Sequence, residues 1–267
     1  MRHRLWALAF CCAAVLIFQW AGAAQALVAI DPGHGGYDRG IIYDTGGKET
    51  SEKRVDLAIS KAIAAALRAK GASVFLVRSV DRYLGIAQRA RIASARQPAV
   101  FLSVHLASAN AFQIYASLMP NVQLPPAAPA GGNQAPPAAP AAVNQAPGNL
   151  PPAGNQGVQA GPASGGGGQT GPDQQALRQY YLYSMRQRPY LGKSRDLASA
   201  LEQSLKQAFP GETISYMEIP LPLLDAIAAP AVLVECPAPQ YMDYNNPAVV
   251  SGMAQAIAGA IISYGTY

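Results

Sequence analysis

The chain of 267 residues is sparing with cysteine and histidine, 3 of each, and only 13% of it is charged. Cys11 and Cys12 fall in an N-terminal stretch with the marks of a leader, so Cys236 is left alone and no internal disulfide is available; stability must come from a packed core. The formal net charge of +5 falls to +3 without residues 1–26, which carry Arg2 and Arg4 and no acid. That excess suits an anionic envelope surface but lacks the clustered basic stripe of a nucleic-acid binder, so nucleic acid is excluded as a partner. Nucleotide signatures are missing too: Gly33-His34-Gly35-Gly36 has no third glycine of a dinucleotide fingerprint, and no Gly-Lys-Ser/Thr follows it. No Gly-x-Ser-x-Gly elbow occurs either.

What is present begins with Met1-Arg2-His3-Arg4, a basic start to an apolar stretch, Leu5 to Gly22, that runs into small residues suited to cleavage. This reads as an export signal over residues 1–26, destined for the periplasm, the cell envelope or the exterior. The competing reading is a permanent anchor, since the run approaches the ~20 residues that span a bilayer. Gln19, Trp20 and the small residues break its far end, which favours cleavage; membrane contact is then confined to that segment if it stays uncleaved. Phe10 before Cys11 argues against a lipoprotein.

From residue 121 to 172 the composition shifts to Pro, Ala, Gly, Asn and Gln, with recurring Asn-Gln-Ala-Pro pieces and four successive glycines at 165–168. Such a segment has too little apolar surface to offset its ordering entropy and reads as a disordered Pro/Ala/Gly-rich insertion, most simply a spacer. The pieces on either side, 27–120 and 173–267, total about 190 residues, a size for one interrupted domain.

Those pieces alternate strand and helix signals. Leu27 to Ile30 predicts a strand, and Lys53 to Lys70 a helix with Val55, Ile59, Ile63 and Leu67 on one face before Gly71. Strands follow at Ser73 to Val77, Ala99 to Val104 and Gln113 to Ala116, with a helix at Tyr83 to Ala95. Beyond the insertion come helices at Asp173 to Met185 and Ser194 to Ala208, a strand at Ala231 to Val234, and a closing helix at Pro247 to Tyr264 with Val250, Met253, Ile257 and Ile261 inward. The fold expected is a single α/β domain, a mostly parallel mixed sheet flanked by helices on both faces.

Ligands of such sheets bind beyond the carboxyl ends of the strands. His34, His105 and Glu235 each follow an expected strand there. A lone strand-end histidine is more often structural, but the chain beyond the leader has two histidines and places both this way. Two imidazoles and a carboxylate suit zinc and leave a coordination position open for water. The third ligand is Glu49 or Glu52; Glu52 also suits the favourable electrostatics of a helix N-terminus behind Ser51. Glu235, at the edge of an apolar strand, is costly without a partner or a task. It could take a proton from water as a carboxylate outside the metal shell. Cys236 is expected to be an inert, partly buried thiol.

Asp31-Pro32-Gly33-His34-Gly35-Gly36 is a highly specific motif, and with it the chain resembles the zinc-dependent N-acetylmuramoyl-L-alanine amidases of the type-3 class, which cleave peptidoglycan. Four further pieces occur in that family's order: Ser51 to Leu57 at the helix start, Val77 to Arg82 at a turn, Ser103-Val104-His105, and Pro230 to Glu235. Carried over by position, the resemblance implies that His34, Glu52 and His105 ligate Zn2+ and that Glu235 is the catalytic carboxylate. The spacing to Leu57 favours Glu52 over Glu49. Leu106-Ala107-Ser108 and Cys236-Pro237-Ala238-Pro239 depart from the family's usual residues beside the site and would reshape its peptide groove.

The resemblance implies hydrolysis of the amide between N-acetylmuramic acid and L-alanine, with peptidoglycan as the partner. Two other functions stand beside it: a zinc carboxypeptidase or other peptidase acting on stem peptides, and a catalytically silent wall-binding module that activates another hydrolase. A segment from Gln174 to Gln187, with Leu177, Tyr181 and Met185 on one face, could form a helix. Either it packs on the sheet or, as in some relatives, it occludes the site until an activator protein removes it. No recognisable wall-binding repeat flanks the domain.

Overall fold

The computed structural model describes residues 26–119 and 185–265. The expected leader, the insertion at 121–172 and nearly all of the helices expected over 173–185 and 174–187 lie outside the described residues; Met185 to Gln187 form a turn.

Six strands form one sheet in the order β4-β1-β5-β8-β6-β7. They are β1 (Leu27–Pro32), β4 (Ser73–Leu76), β5 (Val100–Leu106), β6 (Ala111–Ser117), β7 (Thr213–Ile219) and β8 (Ala231–Cys236). Every neighbouring pair is parallel except β6 with β8, which makes the sheet mixed. A small antiparallel pair, β2 (Ile42–Asp44) and β3 (Glu49–Ser51), stands apart from it. β8 inserts between β5 and β6, so His105 and Glu235 are register partners, and Glu235 faces Gln113 on its other side.

The alternation of β1 and β5 divides the core between two faces, as the pleat requires. Val28, Ile30, Leu102 and Val104 pack with α1 (Glu52–Ala69), α3 (Leu191–Ala208) and α5 (Pro247–Gly265). Ala29 and Phe101 face the other way, toward α2 (Ile86–Ser94) and the short α4 (Pro222–Asp225). Helices therefore flank both faces, as the alternation predicts. α1 buries Val55, Ile59, Ile63 and Leu67 as expected. It ends in a Schellman motif, with the N–H groups of Gly71 and Ala72 donating to the carbonyls of Arg68 and Leu67. α5 is long and apolar enough to cross a bilayer, but it packs against α1 and α3 and buries Met253, Ala254, Ile257, Ala258, Ala260 and Ile261.

Several boundaries differ from expectation. α2 starts at Ile86 rather than Tyr83, because Tyr83 stacks on Tyr37 at 4.1 Å between ring centroids while Gly85 takes an extended backbone as the N-cap. β5 and β8 run on through His105 and Glu235, which lie within the strands rather than behind them. Cys236 is fully rather than partly buried, and burial pushes its thiol pKa well up, which removes thiolate chemistry at neutral pH.

Candidate metal centre

The motif at 31–36 is built by close approach. Gly33 donates its N–H to the Val104 carbonyl at 2.9 Å, and a Cβ at Gly33 would stand 2.3 Å from Cε1 of His105, so only glycine fits. The chain then turns left-handed at His34 with φ 53° and stays positive at Gly35 with φ 129°. Such a conformation at a non-glycine residue costs energy and persists only where neighbours enforce it. Two buried arginines do so. Arg78 donates to the carbonyls of Pro32 at 3.0 Å, Gly33 at 2.5 Å and Lys53 at 2.9 Å. Arg89 donates to the Pro32 carbonyl at 2.7 Å and to the His34 carbonyl, and its guanidinium pairs with buried Asp31 at 2.8 Å.

The loop so held carries His34 to Glu52, the first residue of α1. His34 Nε2 lies 3.2 Å from Glu52 Oε1, and His105 Nδ1 lies 3.1 Å from the same oxygen. The second carboxylate oxygen of Glu52 accepts the Ile41 N–H at 2.8 Å, which fixes its orientation. Asp38 accepts from His34 Nδ1 at 2.8 Å. Since a carboxylate only accepts, Nδ1 carries a proton and Nε2 is the nitrogen free to bind a ligand.

Charge follows from this geometry. Burial opposes a charged His34, but hydrogen bonds and charge from Glu52 and Asp38 outweigh it and raise its pKa above 6.5. Burial likewise opposes the Glu52 charge, yet hydrogen bonds from His105 and His34, with their positive charge, hold that carboxyl well below 4.5. Two ring nitrogens converging on one carboxylate oxygen need positive charge between them, from protons or from a cation.

Whether a metal fits can be judged from the donors. Ligands of a tetrahedral ion with bonds of about 2.0–2.1 Å stand about 3.3 Å apart, close to the spacings found here. Asp56 joins the cluster: single donor atoms of His34, Glu52, Asp56 and His105 lie within 4.8 Å of one another. Asp56 is fully buried, and among the described residues neither of its carboxylate oxygens has a hydrogen-bond partner; burial together with the Glu52 charge raises its pKa well above 3.8. A buried acid without a partner, beside two imidazoles and a second acid, suits a divalent cation. The donor set of two nitrogens and carboxylate oxygen is within the range zinc accepts.

Glu235 stands beside this cluster. Burial raises its pKa above 4.5, opposed by the positive charge of His105 and assisted by the negative charge of Glu52; Tyr115 donates to its Oε2 at 3.4 Å, which favours the ionised form. The structure thus brings His34, Glu52, His105 and Glu235 to one place. Glu49, the other candidate third ligand, lies outside the cluster on the exposed hairpin, paired with Arg39.

The sequence assigns no role to Asp38, Asp56, Arg89 or Tyr115, and Arg78 enters only within the Val77 to Arg82 piece of the resemblance, without a role. Two of them carried a signal. Asp38 is an acid four residues beyond a glycine-flanked histidine, and Asp56 lies one turn after Glu52 on the inward face of an amphipathic helix.

A protein-family model described as N-acetylmuramoyl-L-alanine amidase matches residues 28–263. The Bacillus subtilis (strain 168) protein YqiI, itself uncharacterized, is 36% identical over 120 residues, 42% of this chain and 56% of that protein. N-acetylmuramoyl-L-alanine amidase AmiA of Escherichia coli (strain K12) is 40% identical over 81 residues, 30% of this chain and 27% of AmiA. The chain therefore spans about half the length of one of these relatives and about a quarter of the other. Among solved structures, N-acetylmuramoyl-L-alanine amidase AmiC2 of Nostoc punctiforme superposes with a TM-score of 0.56 at 20% identity, covering 92% of this chain and all of that one.

Proposed function

The chain belongs to the N-acetylmuramoyl-L-alanine amidase family, and from that membership we propose that it is an exported, zinc-dependent peptidoglycan hydrolase that cuts the amide between the lactyl group of N-acetylmuramic acid and the L-alanine of the stem peptide. The observation that carries the proposal is the convergence of His34 Nε2 and His105 Nδ1 on Glu52 Oε1, at 3.2 and 3.1 Å, with Glu235 one strand away. In this reading residues 1–26 are the export signal to the periplasm or envelope, residues 27–120 and 173–267 form the catalytic domain, and 121–172 is a spacer within it. His34, Glu52 and His105 hold the ion.

Bound there, a divalent zinc ion supplies Lewis acidity, lowering the pKa of water toward neutrality and polarising a carbonyl oxygen. The protein's own groups do the rest. Asp38 holds His34 in the tautomer whose Nε2 faces inward, and Ile41 holds Glu52 by its second oxygen. Glu235 takes the proton of the attacking water as that water's oxygen bonds to the lactyl carbonyl carbon. It then gives the proton to the alanine nitrogen as the C–N bond breaks, leaving a muramic carboxylate and a free peptide amine. Burial raises the Glu235 pKa toward the operating pH, which suits a group that must both accept and return a proton.

Glu235→Ala tests the assignment. Zinc content should stay at the wild-type value while release of stem peptides from purified sacculi falls about 10²–10⁴-fold, the contribution of a positioned acid–base group. Full activity in the variant overturns the role of Glu235. Mass analysis of the wild-type digest separates the reaction types: intact stem peptides and bare glycan mark an amidase, trimmed peptide termini a carboxypeptidase.

A further inference from the structure

Glu52 and Asp56 are the two acids of the metal cluster, and only Glu52 has its oxygens accounted for, by the two histidines and the Ile41 N–H. Asp56 lies four residues later on α1, so the two carboxylates stand one above the other on the inward face of the helix. The same spacing lets two histidines on one helix face grip a single zinc ion. Asp56 also borders the glycine loop. A Cβ at Gly33 would stand 2.5 Å from His105 Nδ1 and 2.7 Å from Asp56 Oδ2, so the missing side chain leaves one notch shared by both atoms. Nδ1 is the His105 nitrogen that faces Glu52 Oε1 at 3.1 Å. Both carboxylates therefore approach His105 from the side of that nitrogen.

Among the described residues nothing else answers the Asp56 carboxylate: the residue is fully buried and neither oxygen has a hydrogen-bond partner. The cations whose charge reaches it, Arg78 and Arg89, direct their N–H groups to backbone carbonyls and to Asp31. The hydroxyls that feel it, Tyr43 and Tyr244, donate to the Ala107 and Pro237 carbonyls at 3.0 and 2.5 Å. A buried carboxylate without a partner is costly, and a proton on it would only exchange an unpaired acceptor for an unpaired donor. A cation among the four donors satisfies all of them together.

We propose that Asp56 is a fourth protein donor, through Oδ2, to the divalent ion held by His34, Glu52 and His105. The assignment rests on the reading of this cluster as a metal centre and is independent of which amide is cut. Two carboxylates then match the two positive charges of the ion, and the donors become two nitrogens and two oxygens. Without the ion the like charges of Glu52 and Asp56 oppose each other in the core. The metal-free protein carries that cost and binding releases it, so metal uptake and folding are coupled through this residue.

The test measures zinc affinity of the full-length chain by chelator competition for the wild type, Asp56→Asn and Asp56→Ala, with denaturant midpoints of the metal-free forms recorded in parallel. Asp56→Asn should weaken zinc by more than about 100-fold, beyond the ~10–100-fold lost with a group that acts through a ligand. Its metal-free midpoint should stay at or above the wild-type value, because the substitution keeps the shape and removes an unpaired buried acid. Asp56→Ala, which leaves no side-chain oxygen, should lose at least as much affinity. A smaller loss, or a lower metal-free midpoint with affinity retained, makes Asp56 a packing or positioning residue and overturns the proposal. Crystals of the zinc-loaded wild type give the direct measurement: Asp56 Oδ2 should stand about 2.0–2.2 Å from the ion, and a separation above about 3 Å overturns the assignment. Wild-type protein that takes up no zinc overturns the metal-centre reading itself, whereas tight zinc binding that survives both substitutions overturns the fourth donor alone.

Discussion

His34 sits in a loop that turns left-handed at φ 53°, whereas His105 sits inside β5, a strand paired in register with β1 on one side and β8 on the other. Both present a ring nitrogen to the same oxygen of Glu52. For His105 the sheet does the positioning, and the register that places it also places Glu235. For His34 no ladder is available, and the loop is held by donors from elsewhere: the two arginines, and Lys53, which bridges the Gly36 carbonyl at 2.6 Å and Asp81 at 2.7 Å. One half of the site inherits its geometry from the fold; the other depends on a few buried polar contacts, and is the half that single substitutions should break.

Arg89→Ala should have the largest effect on stability. It leaves Asp31 buried without its cation and removes donors from the Leu84, Pro32 and His34 carbonyls. Losing one partner of a buried pair costs about 3–5 kcal/mol, to be read as a lower denaturant midpoint with unchanged slope. Arg89→Lys retains the charge without the planar fork and should fall between. A loss under about 1 kcal/mol for Arg89→Ala would mean that the loop is held by its glycines and not by the clamp.

Asp38→Asn probes the same half more gently. Asp38 is 39% exposed at its side chain, so folding stability should barely change. If His34 ligates zinc as proposed, zinc affinity by chelator competition should fall about 10–100-fold, as it does when the carboxylate behind a ligating histidine is lost. Among the described residues His105 Nε2 has no such partner, and its ring is oriented by the strand instead. Unchanged affinity in Asp38→Asn would show that the loop backbone alone orients His34 and would erase the contrast between the two histidines.

The contrast also explains how far the sequence could be read. His34, His105 and Glu235 are legible as candidates because each stands at the polar end of an apolar run, whereas Glu52 is legible only as one of two acids, Glu49 being the other, with the choice between them resting on the family resemblance. The helix face of Val55, Ile59, Ile63 and Leu67 was legible because its period is local. The clamp formed by Arg78 and Arg89 is not, although Arg78 stands in a recognisable motif piece, because the partners at Pro32 to His34 lie more than 40 residues away and are backbone carbonyls, which leave no trace in side-chain pattern. β7 was missed because its residues are only partly buried and show no apolar run, and the β2–β3 hairpin because three-residue strands carry almost no periodicity. Asp56 is marked only by its place one turn after Glu52 on the inward face of α1, and its burial is what sets it apart.

The smallest effect belongs to the strand half. Tyr115 lies on β6, and its hydroxyl donates to Glu235 Oε2 at 3.4 Å, a long bond that stabilises the ionised carboxylate and so works against the upward push of burial. Tyr115→Phe removes that donor and nothing from the backbone ladder, so Glu235 keeps its place while its pKa moves further above 4.5. In the proposed reaction Glu235 is the base and must be ionised to act, so on that reading the acidic limb of the kcat/KM profile should move to higher pH. At this length the bond is weaker than a good hydrogen bond, so the shift should be small. The rate on the alkaline side of that limb should stay at the wild-type value, since the register of β5, β8 and β6 is untouched. A uniform loss across the profile would mean that Tyr115 positions Glu235 rather than tuning it, and that the strand half, too, relies on side-chain contacts for its geometry.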